Sequence, residues 1–314
     1  MRSNRSLPLL VSLTLLILSF GGYIGRLISV HSQFTLVTLS FFFTACTLGF
    51  YFLVCRGRGR PRPGIRWRWG FLIWGPMGYF MNMIANTQSF RAFGRASETV
   101  VLNYTWPVFT VLFSRTLFSD RERPPSGMVV VLEGMSLLLG LFSVTLLATE
   151  GDVTGFHITN LPGLLWGLAA GASYGLFSAF SATVTEKQQP TFLLTAIGSS
   201  LLFVLPLGLM EWELAARISP ADIGAALAMG FLVNGVSYIT WTSALHRARQ
   251  QGVSTAKIVA PMFLVPLLSL VIVSVLLGEG KIGQPYFLLS LLFSISGSVL
   301  AQRSEGLADM LMGR

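Results

Sequence analysis

Ten apolar windows, each bounded by charged and turn residues, fall at 7–25, 34–54, 69–90, 97–118, 128–148, 162–182, 190–210, 222–245, 254–277 and 285–302. Each comes close to the roughly 20 residues that a helix needs to cross a bilayer. The windows lack the period-2 alternation of a β-barrel. A lipid-facing backbone must satisfy its own hydrogen bonds, so these windows predict helices. The pattern therefore predicts an all-α integral membrane protein with ten transmembrane helices and short loops. The first window opens MRSNRSLPLLVSLTLLILSF, a basic start followed by an apolar run, as in a signal peptide. The run continues through Gly25 and no small-residue cleavage site follows, so it reads as an uncleaved first span.

Composition agrees with the pattern. Of 314 residues, 53% are hydrophobic and 11% charged, against about 25% charged in a soluble domain. Mean hydropathy is +0.67. An ordinary soluble enzyme is excluded, because so few charges cannot cover a water-facing surface. The net charge of +9 would suggest nucleic acid in a soluble chain. Here it reads as the positive-inside bias of a membrane protein. With the N-terminus cytoplasmic, 15 Lys and Arg fall in inside segments and 5 outside, while Arg115 and Lys257 fall within spans. That ratio predicts cytoplasmic N- and C-termini. The segment RGRGRPRPGIRWRW (56–69) reads as a topology-fixing cytoplasmic loop rather than an RNA-binding tract. Cys46 and Cys55 make no disulfide framework, and His31, His157 and His246 are scattered without an HExxH cluster. No metal or other cofactor is predicted, and no GxxxxGK[ST] motif exists for nucleotide binding.

The two halves look alike. ASETVVLNYTWPVFTVLFSRTLFSDRE (96–122) aligns with TAKIVAPMFLVPLLSLVIVSVLLGEGK (255–281), setting Pro107 on Pro266 and Asp120 on Glu279. Five spans per half is an odd number, so the halves must be inverted relative to each other. The expected units are residues 1–150, with spans 1–5, and residues 151–314, with spans 6–10 and a short tail. Inverted repeats are a signature of secondary transporters whose site lies near the midplane at the repeat interface.

With that layout and the paired P…(D/E) helices, the chain resembles the EamA-type drug/metabolite transporter superfamily over nearly its whole length. ASETVVLNYTWPVFTVLF is most similar to the aromatic amino-acid exporter branch, which has an E…NY-x-WP stretch in its fourth span. Tyr79 matches a third-span Tyr of that branch, and SYITWTSALH (237–246) resembles its eighth-span Y-x-x-W pattern. The branch typically carries a Trp in span 6, three residues before the Tyr. Here that position is Gly171, which leaves substrate size and aromatic character open.

Several residues are candidates for function. Pro107 removes a backbone donor and frees the carbonyl of Asn103, Pro266 that of Met262 and Pro261 that of Lys257. Freed carbonyls that line a cavity, with hinges at Pro107 and Pro266, is the favoured reading over tolerated kinks. Asn103 in mid-span needs an interior partner. Tyr104 and Trp106 lie about 9–12 Å inside the span, too deep for an interface belt. An aromatic wall with hydroxyl and indole donors suits a flat, amphipathic substrate, and the resemblance implies aromatics around the cavity here. Tyr79, Tyr174, Tyr238 and Trp241 complete the candidate substrate-binding set, although core packing explains each of these four alone equally well. Gly163, Gly167, Gly171 and Gly175 form one smooth face for a neighbouring helix. Glu98 and Lys257 occupy equivalent repeat positions near their membrane boundaries, where each can snorkel. Glu133 and Arg115 lie at similar depths, which makes a structural ion pair the favoured reading over a proton relay. Proton coupling, if present, points to Glu98 or Glu133.

These readings predict no enzyme, because no nucleophile–base set appears. They predict a bacterial inner-membrane secondary transporter that exports small amphipathic metabolites, aromatic amino acids first, by alternating access. Its partners are the small-molecule substrate and the lipid bilayer, with no nucleic acid; oligomeric state is open. An exporter of another metabolite or drug is the alternative, and a non-transporting sensor or scaffold comes after it.

Overall fold

The computed structural model describes residues 6–27, 33–57, 68–93, 96–118, 126–155, 160–211, 213, 218–278 and 282–312, and every regular element among them is helical. Most of the Arg-rich loop, together with Asp120, Glu279, His31 and His157, lies outside the described residues. In chain order the helices are α1 (Ser6–Arg26), α2 (Gln33–Gly57), α3 (Gly70–Pro76), α4 (Asn82–Phe93), α5 (Ala96–Asn103), α6 (Trp106–Thr116), α7 (Gly127–Ala148), α8 (Leu161–Ser181), α9 (Gln189–Met210), α10 (Pro220–Ala228), α11 (Ser237–Gln250), α12 (Thr255–Val259), α13 (Val265–Leu277) and α14 (Pro285–Leu311).

Eight helical stretches among the described residues are long and apolar enough to cross a membrane, and with them the chain is an all-helical, multi-pass membrane protein. The two remaining apolar windows differ for identifiable reasons. Window 69–90 is helical from Gly70 onward, but a π-helical turn at Met77–Met81 links α3 to α4, and α4 carries Asn82, Asn86, Thr87 and Gln88. Window 97–118 is split at Tyr104–Thr105 into α5 and α6. Pro107 has no N–H for the carbonyl of Asn103, and the chain tightens instead, with the Thr105 amide donating to Leu102 O at 3.2 Å. A matching irregularity sits ahead of Pro266, where the 3₁₀ turn Ala260–Leu264 joins α12 to α13.

The starts of α7, α8 and α10 carry side-chain caps. Asn160 Oδ1 accepts from Gly163 N at 3.0 Å, Ser126 Oγ accepts from Val129 N at 3.3 Å, and Ser219 with Asp222 forms a reciprocal capping box. Gly278 closes α13 in the left-handed region, φ +69. Exposed Leu9, Phe50, Leu202 and Val275 make an outer apolar surface suited to lipid.

Packing runs through the centre in a regular way. α7 lies along α14, antiparallel, with Ser143 Oγ donating to Ser290 O near one end and Val129 packed on Ala308 near the other. α2 lies on α9; α1 packs on α11 and α13; α8 packs on α4, α5 and α6. The second π-helical turn, Met229–Val236, links α10 to α11 and packs on α1 and α2. One end of the bundle carries Arg56, Arg68, Arg247, Arg249 and Arg303, and is called here the arginine-rich end; the opposite end carries Arg26 and Arg91. Lys257 Nζ meets Glu305 at 2.9 Å and so ties the start of α12 to the last turns of α14 at the arginine-rich end.

Candidate functional site

The two π-helical turns meet at the middle of the bundle. A π turn widens the helix by one residue and leaves part of its backbone hydrogen bonding irregular. Asn82 N–H donates back to Met77 O, and Ser237 N–H to Leu232 O. Tyr79, within the first turn, and Tyr238, directly after the second, stack face to face with ring centroids 4.3 Å apart. Each hydroxyl caps the other turn: Tyr79 Oη donates to Asn234 O at 3.2 Å, and Tyr238 Oη to Gly78 O at 2.8 Å. The two tyrosines are separated along the chain by the same spacing as Pro107 and Pro266.

Two adjoining cavities flank this pair. The inner chamber, about 250 Å³, is lined by Asn82, Asn103, Tyr104, Trp106, Tyr174 and Tyr238, with Leu18, Val233, Asn234 and Val265 completing it. The outer cavity, about 500 Å³, shares Asn82, Asn234 and Tyr238 with the chamber. It extends past Ser40, Asn86 and Thr87 to Gly25 and Phe90, which lie in the last turns of α1 and α4 at the end opposite the arginines. No Asp, Glu, Lys, Arg or His side chain among the described residues lines either one.

The chamber wall is aromatic. Trp106 makes an edge contact with Tyr174 at 5.0 Å and with Trp241 at 5.5 Å, and Tyr174 meets Tyr238 edge-on at 5.7 Å. The break at Tyr104–Thr105 lets α5 and α6 turn Asn103, Tyr104 and Trp106 toward one space. Of the sequence-derived binding set, Asn103, Tyr104, Trp106, Tyr174 and Tyr238 line the inner chamber and Tyr79 the outer cavity. Trp241 lines neither: it packs behind Trp106 and donates its indole N–H to Ser178 Oγ at 3.0 Å.

The freed carbonyls are engaged in packing rather than seen on the cavity wall, and that of Met262 accepts the Val265 N–H. That of Lys257, released by Pro261, accepts Gln302 Nε2 at 2.7 Å and so anchors α14. That of Asn103 faces Gly171: a methyl group built there would stand 3.2 Å from Asn103 O, 3.0 Å from Leu102 O and 2.2 Å from Thr105 Oγ1. Gly171 is thus the point where α8 backs onto the break between α5 and α6, and it opens no space in the chamber. Gly163, Gly167 and Gly175 make similar approaches to Phe93, Leu102 and Phe109. The glycine face is a packing face.

The charged candidates stand apart from the chamber. Arg115 and Glu133 form an ion pair between α6 and α7, with Glu133 buried and Arg115 partly exposed. Lys257 pairs with Glu305. Glu98 does not reach out to the boundary; it is buried, and accepts from Ser97 Oγ at 2.7 Å.

Three lining amides escaped the sequence reading: Asn82, Asn86 and Asn234. The signal was present, because an amide inside an apolar window needs a partner just as Asn103 does. Cys46 and Cys55 are free thiols. Among the described residues no cluster of His, Cys, Asp and Glu could hold a metal ion.

No family model matches this chain. The chain is similar to the aromatic amino acid exporter YddG of Ancylobacter novellus, 29% identical over 178 residues, which is 53% of this chain and 55% of that protein. The match therefore spans about half the length of the curated relative. A solved crystal structure, described only as that of a protein, superposes with TM-score 0.74 over 98% of this chain and 99% of its own at 20% identity, a likeness of fold alone.

Proposed function

We propose that this chain is a secondary transporter that exports small amphipathic metabolites, aromatic amino acids first, across the bacterial inner membrane by alternating access. The observation that carries the reading is the uncharged chamber at the centre of the bundle. It has aromatic walls, amide groups, an approach from one end and dense packing at the other. A transported molecule needs such a site to be desolvated and held without being trapped by a fixed charge. Tyr79, Asn103, Tyr104, Trp106, Tyr174 and Tyr238 make the substrate site, with Trp241 supporting Trp106. Similarity to an exporter of aromatic amino acids supports the substrate class.

Two inverted five-span repeats, 1–150 and 151–314, fit the packing. Exchange of the halves turns the α1–α13 contact into the α8–α6 contact, and the α1–α11 contact into the α8–α4 contact. It returns α2–α9 and α7–α14 to themselves. Both π turns and both prolines, Pro107 and Pro266, exchange as well, which supports hinges at those prolines. The Arg-rich end is the cytoplasmic one on the positive-inside rule, so both termini are cytoplasmic. Arg115–Glu133 and Lys257–Glu305 brace that end, and Glu98 is the carboxyl at which to test proton coupling.

Counterflow of labelled phenylalanine and tryptophan in liposomes tests the reading, with Trp106→Ala alongside. Uptake by the wild type that Trp106→Ala abolishes, while the variant still runs as one gel-filtration species, is the expected result. No uptake of either amino acid by a well-folded wild type would remove the aromatic assignment.

A further inference from the structure

The amides of the inner chamber are oriented by their neighbours, and the orientation specifies a ligand. A backbone carbonyl can only accept, so the bond of 2.9 Å from Asn82 to Ala170 O fixes Nδ2 as the Asn82 atom that faces it. The same Nδ2 donates to Asn103 at 3.2 Å, which fixes Oδ1 as the acceptor there. Asn103 is left with its NH₂ group, and Asn82 with its Oδ1, without a hydrogen-bond partner among the described residues, and both residues line the chamber. A donor and an acceptor thus stand side by side on a wall that carries no charge. Trp106, Tyr174 and Tyr238 line the same chamber. A polar group in such a place loses its hydration unless a ligand replaces it.

We infer that Asn103 and Asn82 form the head-group subsite for an α-amino-acid zwitterion. Asn103 Nδ2 donates to the carboxylate, Asn82 Oδ1 accepts from the ammonium group, and the aromatic wall takes the side chain. This rests on the transport reading above and adds the chemistry of selection to it. With no countercharge in the chamber, a molecule of net charge is penalised far more than one whose two charges are adjacent and cancel. The subsite therefore selects amino acids over the matching amines and acids, and does so with neutral groups.

The test is counterflow in proteoliposomes with three labelled compounds that share one ring: phenylalanine, phenethylamine and 3-phenylpropionate. The wild type is expected to take up phenylalanine at least about tenfold faster than either ion, as for the loss of one charge-assisted hydrogen bond. Asn103→Asp keeps the oxygen that Asn82 bonds and replaces the donor with a second, charged oxygen. It is expected to lower phenylalanine uptake by about tenfold or more and to shift preference toward phenethylamine. Asn103→Ala is the second variant: it should lose phenylalanine uptake without gaining the amine. Equal uptake of phenylalanine and phenethylamine by the wild type would overturn the inference. So would phenylalanine uptake within about twofold of wild type in either variant that runs as a single gel-filtration species. A folded wild type that takes up none of the three would overturn the transport reading itself and this subsite with it, a result distinct from transport without zwitterion selection.

Discussion

The two ends of the bundle are packed differently. At the arginine-rich end the rings of Phe71, Trp74, Phe118, Phe180 and Phe192 form one cluster. Phe71 lies 5.2 Å from Phe192, Phe180 lies 5.6 Å from Phe192 and 5.7 Å from Phe118, and Trp74 lies 5.9 Å from Phe118. Gln189, buried at the start of α9, fastens α11: its Nε2 donates to Ile239 O at 2.8 Å and to Thr242, and its Oε1 accepts from Ser243 Oγ at 3.1 Å. At the opposite end the seam between α2 and α4 holds the outer cavity instead, with Ser40, Asn86 and Thr87 on its walls. On the repeat reading the α9–α11 seam and the α2–α4 seam are counterparts, one closed and one spread. The ion pairs Arg115–Glu133 and Lys257–Glu305 tie neighbouring helices at the arginine-rich end, while closure of the seam itself comes from aromatic packing and from hydrogen bonds between neutral groups. Each such bond contributes about 0.5–1.5 kcal/mol, so a ligand that binds the two states unequally by a few kcal/mol can reverse them.

Variants at the two ends should separate in proportion to that difference. Phe192→Ala should have the largest effect. Its ring is fully buried and touches three others, Phe71, Phe177 and Phe180; truncation should cost about 3–5 kcal/mol, read as a fall in melting temperature of the purified protein. Gln189→Leu keeps the volume and removes the fastening. The expected loss is about 1–3 kcal/mol, with faster labelling of a cysteine placed at the arginine-rich end. Ser40→Ala at the spread end removes only the partner of Asn234 Nδ2, a bond of 3.1 Å facing the cavity. There the expected loss is at most about 1 kcal/mol. If Ser40→Ala destabilised the protein as much as Gln189→Leu, the contrast between a fastened seam and a spread one would be broken.

Most of the helical frame was legible in the sequence, since each apolar window carries its own length and its own boundary residues. Window 128–148 against Gly127–Ala148, and 190–210 against Gln189–Met210, agree within a residue or two. The split ahead of Pro107 was legible too, because proline removes a specific donor. The π turns were not: no residue type is required for one, and Met77–Met81 and Met229–Val236 read as ordinary apolar helix. Asn82 and Asn234 were legible as amides inside apolar windows, but that they line the chamber depends on the π turns beside them. Gly171 shows the opposite case. Sequence comparison makes it a missing cavity side chain, whereas the fold turns that position toward Leu102 O and Thr105, where no side chain fits. A residue's type is visible in sequence, but the face it presents depends on the neighbouring helix.

The most direct test of the account is a pair of single cysteines in a background where Cys46 and Cys55 are replaced by serine. Thr87→Cys stands on the wall of the outer cavity, and Ser181→Cys stands fully buried at the arginine-rich end. Labelling with a water-soluble thiol reagent in liposomes is measured with and without phenylalanine in counterflow. The account predicts rapid reaction at Thr87→Cys without substrate, protection there by phenylalanine, and reaction at Ser181→Cys only while phenylalanine is cycling. Reaction at Ser181→Cys that equals that at Thr87→Cys in the absence of substrate, or none at all while phenylalanine crosses the membrane, would contradict it.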